Sequence, residues 1–371
     1  MRRLVFWSLA AALVWTAIGS SHAADKWGLK KGNAELQSAG QLAFGPDGIL
    51  FVGDTKQAAV FAISTGDAKG EPAKAKWNIE GLHEKLATLL KSSPQQTTLN
   101  DLAVNPASGN VFFSVTASAR PALVKLDAQG LSEVSLTDVP FLKAQLSNPP
   151  EDKVVEQGPR KMNRRDESIT DLIFADGKVI VSGLSNSKAP AIVRELPFPF
   201  ADGESGTTIE FYHGAHGKLE DYAPVRAFVP FTVNGEASLL AGFQCTPLVR
   251  FPVGSIEAAK KEAGKKVRGT TVAELGNRNR PLDMITYQKD GKDFLLMANN
   301  ARGVMKISTQ DIGRAEGITE PVKGGGTSGQ SFETIKELVG VVQLDKLNDG
   351  QAVIVAQADG GVLNLRTIDL P

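Results

Sequence analysis

Six times along this chain a short apolar strand enters a turn glycine and leaves as a second apolar strand, at Gly48, Gly109, Gly177, Gly235, Gly291 and Gly350. The spacings, by subtraction, are 61, 68, 58, 56 and 59 residues, close enough to one value to imply one structural unit built six times. Rows such as QLAFGPDGILFVGD, DLIFADGKVIVSG and AFVPFTVNGEASLLAG read as hairpins. Gly, Asp or Asn fills the turn, where positive φ is cheap, and β-branched or aromatic residues fill both arms.

A third strand-like run follows each hairpin (AAVFAIS, ALVKLDA, AIVRELP, PLVRFPV, GVMKIST, GVLNLRT), and LSEVSLTDV and TTIEFYHG offer a fourth. One four-stranded sheet cannot bury both of its faces, so the repeat must pack against copies of itself. The expected fold is all-β, a six-bladed β-propeller spanning residues 24–371. Because the last run ends at Pro371, the fourth strand of the last blade is expected from the N-terminal segment around Trp27–Leu36.

Residues 1–23 have the three parts of a secretory signal: Arg2 and Arg3, an apolar stretch from Leu4 to Ile18, and Ser21-His22-Ala23 before the expected cleavage. The apolar stretch is shorter than the ~20 residues that span a bilayer. Periplasmic or secreted localisation follows, with no stable membrane insertion after cleavage. Removing Arg2 and Arg3 leaves 39 basic residues (41 less two) against 41 acidic ones, so there is no bulk electrostatic case for nucleic acid. The expected partner is a small-molecule ligand or another protein. Cys245 is the sole cysteine, which excludes an intramolecular disulfide, and no Cys-x-x-Cys-His motif offers covalent haem attachment.

The longest interval holds a charged stretch at about 140–167, with Pro149-Pro150, Arg160-Lys161 and Arg164-Arg165. It reads as a solvated loop or as a lid over one end of the ring. Short helical patterns occur at Leu82–Lys91 and Ile256–Lys266, and Pro321–Gly329 reads as flexible.

Aligning the first strand of each repeat places Gln41, Asp101, Asp171, Ala227, Asp283 and Gly340 before the apolar run. First strands line the channel of a propeller, so these positions form a ring. Converging carboxylates repel unless a cation neutralises them, and an oxygen-rich site of this kind suits Ca²⁺. The competing reading is a set of structural clamps to neighbouring backbone amides. Arg226, Gln244, Arg280, Asn299 and Asn300 fall at the same mouth and are the candidate ligand-binding residues.

LAFGPDGILFVGD and LNDLAVNPASGNVFF resemble blades of the NHL-repeat and gluconolactonase/paraoxonase-like propellers. In that group an Asn-Asp pair before an inner strand contributes to a calcium centre. The resemblance implies that Asn100 and Asp101 serve so here, with Asp171 and Asp283 matching by position, while Gln41 stands where the group has an acidic ligand.

His213 and His216, in Phe-Tyr-His-Gly-Ala-His-Gly, form an alternative site for Zn²⁺ or Cu²⁺, with Cys245, Asp221 or Glu220 as the third ligand. Cys245 reads as a buried thiol or as a nucleophile served by those histidines. Three functions are therefore expected: an exported propeller that binds a ligand or partner at the Asp-rich mouth, a calcium-dependent lactonase or esterase, and a transition-metal or redox accessory protein.

Overall fold

The computed structural model describes residues 24–157, 160–201, 206–262, 264–314 and 316–371; the expected signal sequence lies outside them. All six hairpins form. At Asn234–Gly235 (φ 51° and 81°) and Asp290–Gly291 (φ 51° and 71°) both turn residues occupy the left-handed region, which the paired turn residues of a tight hairpin require.

Each hairpin begins an antiparallel sheet. Sheet 1 holds Leu42–Phe44, Ile49–Asp54 and Ala59–Ser64, and sheet 2 holds Thr97–Val104, Val111–Ala117, Arg120–Asp127 and Gly130–Glu133. Sheet 3 runs Asp171–Ala175, Lys178–Leu184, Ala191–Pro197, Gly206–His213, and sheet 4 runs Ala227–Val233, Glu236–Gly242, Pro247–Pro252, Val267–Leu275. Sheet 5 contains Pro281–Lys289, Lys292–Asn299, Gly303–Ser308 and Phe332–Ile335; sheet 6 begins with Val341–Lys346, Gln351–Gln357 and Leu363–Asp369. Sheets 3 and 4 are joined by parallel pairing of their fourth strands, Ile209 opposite Val267. The resulting eight-strand path is nearly closed and barrel-like, because its two end strands, Asp171–Ala175 and Ala227–Val233, meet again.

Six apolar cores lie between sheets, and their membership gives the order of packing. Phe61 and Leu50 meet Phe112 between sheets 1 and 2, and Val115 and Leu102 meet Val353 between sheets 2 and 6. Leu296 meets Ile354 between sheets 5 and 6, Leu240 meets Leu295 between 4 and 5, Val193 meets Leu239 between 3 and 4, and Phe51 meets Val179 between 1 and 3. Every sheet therefore buries both faces, which is why Ile49–Asp54 and Ala59–Ser64 are buried at every position rather than at every second one. The packing order is 2, 1, 3, 4, 5, 6 and back to 2, with the first two sheets transposed relative to the sequence.

Two strands from elsewhere complete the exchange. The fourth strand of sheet 6 is Asn78–Ile79, not the N-terminal segment. Trp77 fixes it: its backbone amide donates to Thr367 Oγ1 at 2.9 Å, its carbonyl accepts from the Thr367 amide, and its indole Nε1 donates to the Gly109 carbonyl. The N-terminal strand Lys30–Gly32 instead pairs with Val139–Phe141 at the edge of sheet 1. Trp27 anchors it there, donating from Nε1 to Asp47 Oδ2 at 2.7 Å and lying 5.3 Å from the ring of Phe198. An anchor on sheets 1 and 3 leaves that segment on the wrong side for sheet 6.

The charged stretch is partly structural. Val139–Gln145 is the fourth strand of sheet 1, paired with Ala59–Ile63, and the remainder carries a separate two-stranded hairpin, Val154–Gln157 with Arg160–Asn163. Helices occur at Leu82–Leu89 and Val253–Ala259, and Thr327–Gly329 adds a strand to Val267–Leu275. No helix among the described residues is long and apolar enough to cross a membrane.

Candidate functional sites: a carboxylate channel and a histidine cluster

The first strands of the sheets surround a cavity of about 600 Å³ lined by Asp101, Asp171, Asp283, Asp345 and Arg226 among others. Each carboxylate has the same arrangement. One oxygen accepts the amide of the following residue, as Leu172 donates to Asp171 and Met284 to Asp283, both at 2.8 Å. The other accepts an amide of the adjoining sheet: Leu42 to Asp101 (2.6 Å), Phe228 to Asp171 (2.8 Å), Leu344 to Asp283 (2.9 Å) and Val104 to Asp345 (2.7 Å).

These bonds also set the alignment. Leu344 donates as Phe228 and Leu42 do, so the ring position in sheet 6 is Gln343 rather than Gly340. A bulge between Val341 and Gln343 shifts the register and hid this from a gapless alignment. Asp345 lies two residues further, on the same face of its strand. It is the channel carboxylate that the alignment missed.

Burial pushes the Asp101 carboxyl up to about 7, against the pull of the Leu42 and Leu102 amides, and Asp345 adds to the rise. Burial likewise raises Asp345 to about 6 and holds Asp171 and Asp283 well above the usual carboxylate range. Arg226 does not neutralise them directly, since its Nη2 donates to Glu167 Oε1 at 2.6 Å. Asn100 turns its amide to the Ala39 carbonyl (2.8 Å) and Thr116 Oγ1 (2.9 Å).

Of the other expected mouth residues, Arg280 and Asn300 are exposed and bonded to each other, the Arg280 amide donating to Asn300 Oδ1 at 2.8 Å. Gln244 is exposed, whereas Asn299 is buried and spends its Nδ2 on the carbonyls of Met297 and Gly303. The structure thus brings Asn100, Asp101, Asp171, Asp283 and Arg226 to one cavity and leaves Gln244, Arg280, Asn299 and Asn300 outside its lining.

The second cluster stands where the fourth strands of sheets 3 and 4 run side by side. His213 ends Gly206–His213, a turn carries His216, and the chain returns through Lys218–Glu220, pairing Glu220 opposite Phe211. Both imidazoles meet the same carboxylate: His216 Nδ1 is 2.5 Å from Glu220 Oε1, and His213 Nδ1 is 3.1 Å from Glu220 Oε2. The two rings lie 3.9 Å apart, and one ligand atom from each of the three residues falls within 4.8 Å of the others.

From sheet 4, Glu274 places Oε2 at 4.0 Å from His213 Nε2, while its Oε1 accepts the Gly214 amide at 2.6 Å. His213, Glu220 and Glu274 are buried and His216 is 44% exposed along its side chain, so the cluster opens to solvent on one side. Neither ring nitrogen of His213 has an aligned hydrogen-bond partner, nor does Glu274 Oε2.

Burial pushes the Glu220 carboxyl up, but the two imidazoles and the Tyr222 hydroxyl outweigh it and hold it at about 2. An ionised carboxylate and two imidazoles, three protein ligands with an open side, are a donor set for a divalent transition metal. Of the three candidate third ligands, Glu220 is the one in place. Asp221 is paired with Lys266 at 2.6 Å, and Cys245 lies outside the cluster with its amide on the Asn279 carbonyl. Glu274 escaped the sequence reading because it reaches His213 from another sheet.

Closed packing of antiparallel sheets around a channel defines the architecture. The fold is β-propeller-like. No protein-family profile and no curated protein matches the chain, so the NHL-repeat resemblance rests on its short motifs alone. Among solved structures, the PQQ-bound aldose sugar dehydrogenase of Streptomyces coelicolor is similar over 92% of this chain and 96% of that one, at 13% identity and TM-score 0.37. Two structures of the plexin A4 extracellular region are similar over 92% of this chain at 10% identity and TM-score 0.45. The chain covers 40% and 47% of those plexin chains.

Proposed function

We propose that this chain is an exported six-bladed β-propeller that acts as a metal-dependent hydrolase, with the ion held by His213, His216 and Glu220. The packing order of the sheets supports the six-bladed reading, each sheet being one blade. The observation that carries the metal assignment is the state of His213: a buried imidazole with neither nitrogen in an aligned hydrogen bond, its Nδ1 3.1 Å from a carboxylate shared with a second imidazole. An unpartnered buried polar group costs about 1–3 kcal/mol, and a bound cation removes that cost here.

Three protein ligands and an exposed side at His216 would leave an ion held there accessible to water or to a substrate carbonyl. Zinc suits this donor set, and it would supply an activated water at neutral pH. Esters and lactones are the substrate class proposed. The test is elemental analysis of protein purified without chelator or affinity histidines, followed by hydrolysis assays on an ester and lactone panel. One zinc or copper per chain, with turnover lost in His213→Ala, His216→Ala, is expected; turnover that survives both substitutions would overturn the assignment.

A second reading keeps the channel as a binding site for a small ligand, supported by four carboxylates and Arg226 around one cavity. It predicts saturable ligand binding that Asp283→Ala removes and that no chelator affects.

A further inference from the structure

Where strand Val267–Leu275 leaves sheet 4, the backbone turns through Gly276, Asn277 and Arg278 and meets the turn at Ala301–Arg302 and the glycine loop at Gly324. Asn277, Arg278, Ala301, Arg302 and Gly324, five residues, line an open pocket of about 580 Å³. Two of the five are arginines, and neither has an acidic partner among the described residues, although Arg120, Arg226, Arg250, Arg268 and Arg314 each have one.

Arg302 is set in place by its surroundings. Its guanidinium lies against Gly276, whose φ of +99° excludes ordinary side chains and where a Cβ would come within 2.6 Å of Arg302 Cζ. Nη2 donates to the Asn277 carbonyl at 3.2 Å, which fixes the plane and leaves the remaining N–H groups free. Arg278 sits at φ 57°, in the left-handed region, within the same turn. Gly324 (φ 70°) lines the same pocket without a side chain.

We propose that Arg278 and Arg302 form a binding site for an oxyanion of the phosphate or carboxylate class. Guanidinium groups match such oxygens in paired N–H···O bonds, and one arginine already oriented by the fold loses less freedom on binding than a mobile one. The site is separate from the histidine cluster and needs no ion there.

The test is a calorimetric titration of the full mature chain with inorganic phosphate and, separately, with acetate, at constant ionic strength held with chloride. Saturable binding of either anion is expected, weakened more than tenfold in Arg278→Met, Arg302→Met and less in Arg302→Lys, with melting temperatures unchanged because both side chains are exposed. Binding of phosphate alone would assign the phosphate class, and equal binding of acetate would assign the wider oxyanion class. A response to both anions no greater than that to chloride, or binding unaltered in the double variant, would overturn the proposal.

Discussion

The channel and the histidine cluster both gather acidic groups in buried surroundings, yet they treat them oppositely. Every channel carboxylate has both oxygens engaged by backbone amides, one from its own strand and one from the next sheet. In the cluster, His213 and one oxygen of Glu274 are buried with no aligned partner. Saturated polar groups hold a fold together, whereas unsaturated ones are available to a ligand. The same element, a buried carboxylate, thus serves as a joint in one place and as part of a receptor in the other.

The largest effect that would break this comparison is on stability. Asp101→Ala strands two buried amides, and at about 1–3 kcal/mol each the loss is roughly 2–6 kcal/mol in a urea titration, with zinc affinity unchanged. An Asp101→Ala protein as stable as the parent would show that the channel carboxylates are not joints. His216→Ala should act chiefly on the metal. Metal-free stability falls by about 1–3 kcal/mol because buried Glu220 loses a hydrogen-bond partner, while zinc affinity falls on the order of a hundredfold or more.

Glu274→Gln sharpens the contrast within the cluster. Its carboxylate stands behind His213 as an outer partner that would accept the Nε2 proton once Nδ1 binds metal, so zinc affinity should fall by roughly 10- to 100-fold with the ligand set intact. Unaltered affinity would make Glu274 a bystander.

The smallest effect is on pH dependence. Asp101 and Asp345 have folded pKa values raised to about 7 and about 6 from an ordinary 3.8, so the native state binds more protons than the unfolded chain between those limits. Stability from this source is complete below about pH 4, declines as pH rises, and is lost above about 7. The melting temperature should therefore drop by a few degrees across that window, and Asp345→Asn should flatten the curve near pH 6. A melting temperature that rises from pH 4 to 7 in the parent, with the same slope in Asp345→Asn, would contradict the burial of unneutralised carboxylates.

The hairpins were legible because their signals are local: Asn234–Gly235 or Asp290–Gly291 needs only its own turn to be recognised. Ring order and closure were not, because they depend on partners far apart in sequence. Trp77 meets Thr367 across 290 residues and Val104 meets Asp345 across 241, and neither pair has a pattern visible from one side. Asn78–Ile79 is too short to announce itself as a strand.

The sites divide in the same way. His213 and His216 were visible as neighbours three residues apart, with Glu220 among their possible partners, while Glu274 approaches from another sheet. Asp345 was hidden by the bulge at Val341. The amide partners of Asp101, Asp171 and Asp283 could not be read from sequence, because each belongs to a different sheet.

The transposed order of sheets 1 and 2 has a consequence for synthesis. A chain growing from its N-terminus makes three strands of sheet 1 that wait for Val139–Gln145, and makes Asn78–Ile79 some three hundred residues before Leu363–Asp369 arrives to receive it. Long waits of this kind expose unpaired strand edges and slow the search for native contacts. A nascent chain halted before Leu363 would carry an unseated Trp77 and an open edge along Gln351–Gln357, so the last strand made is also the one that ends the period of greatest exposure to aggregation.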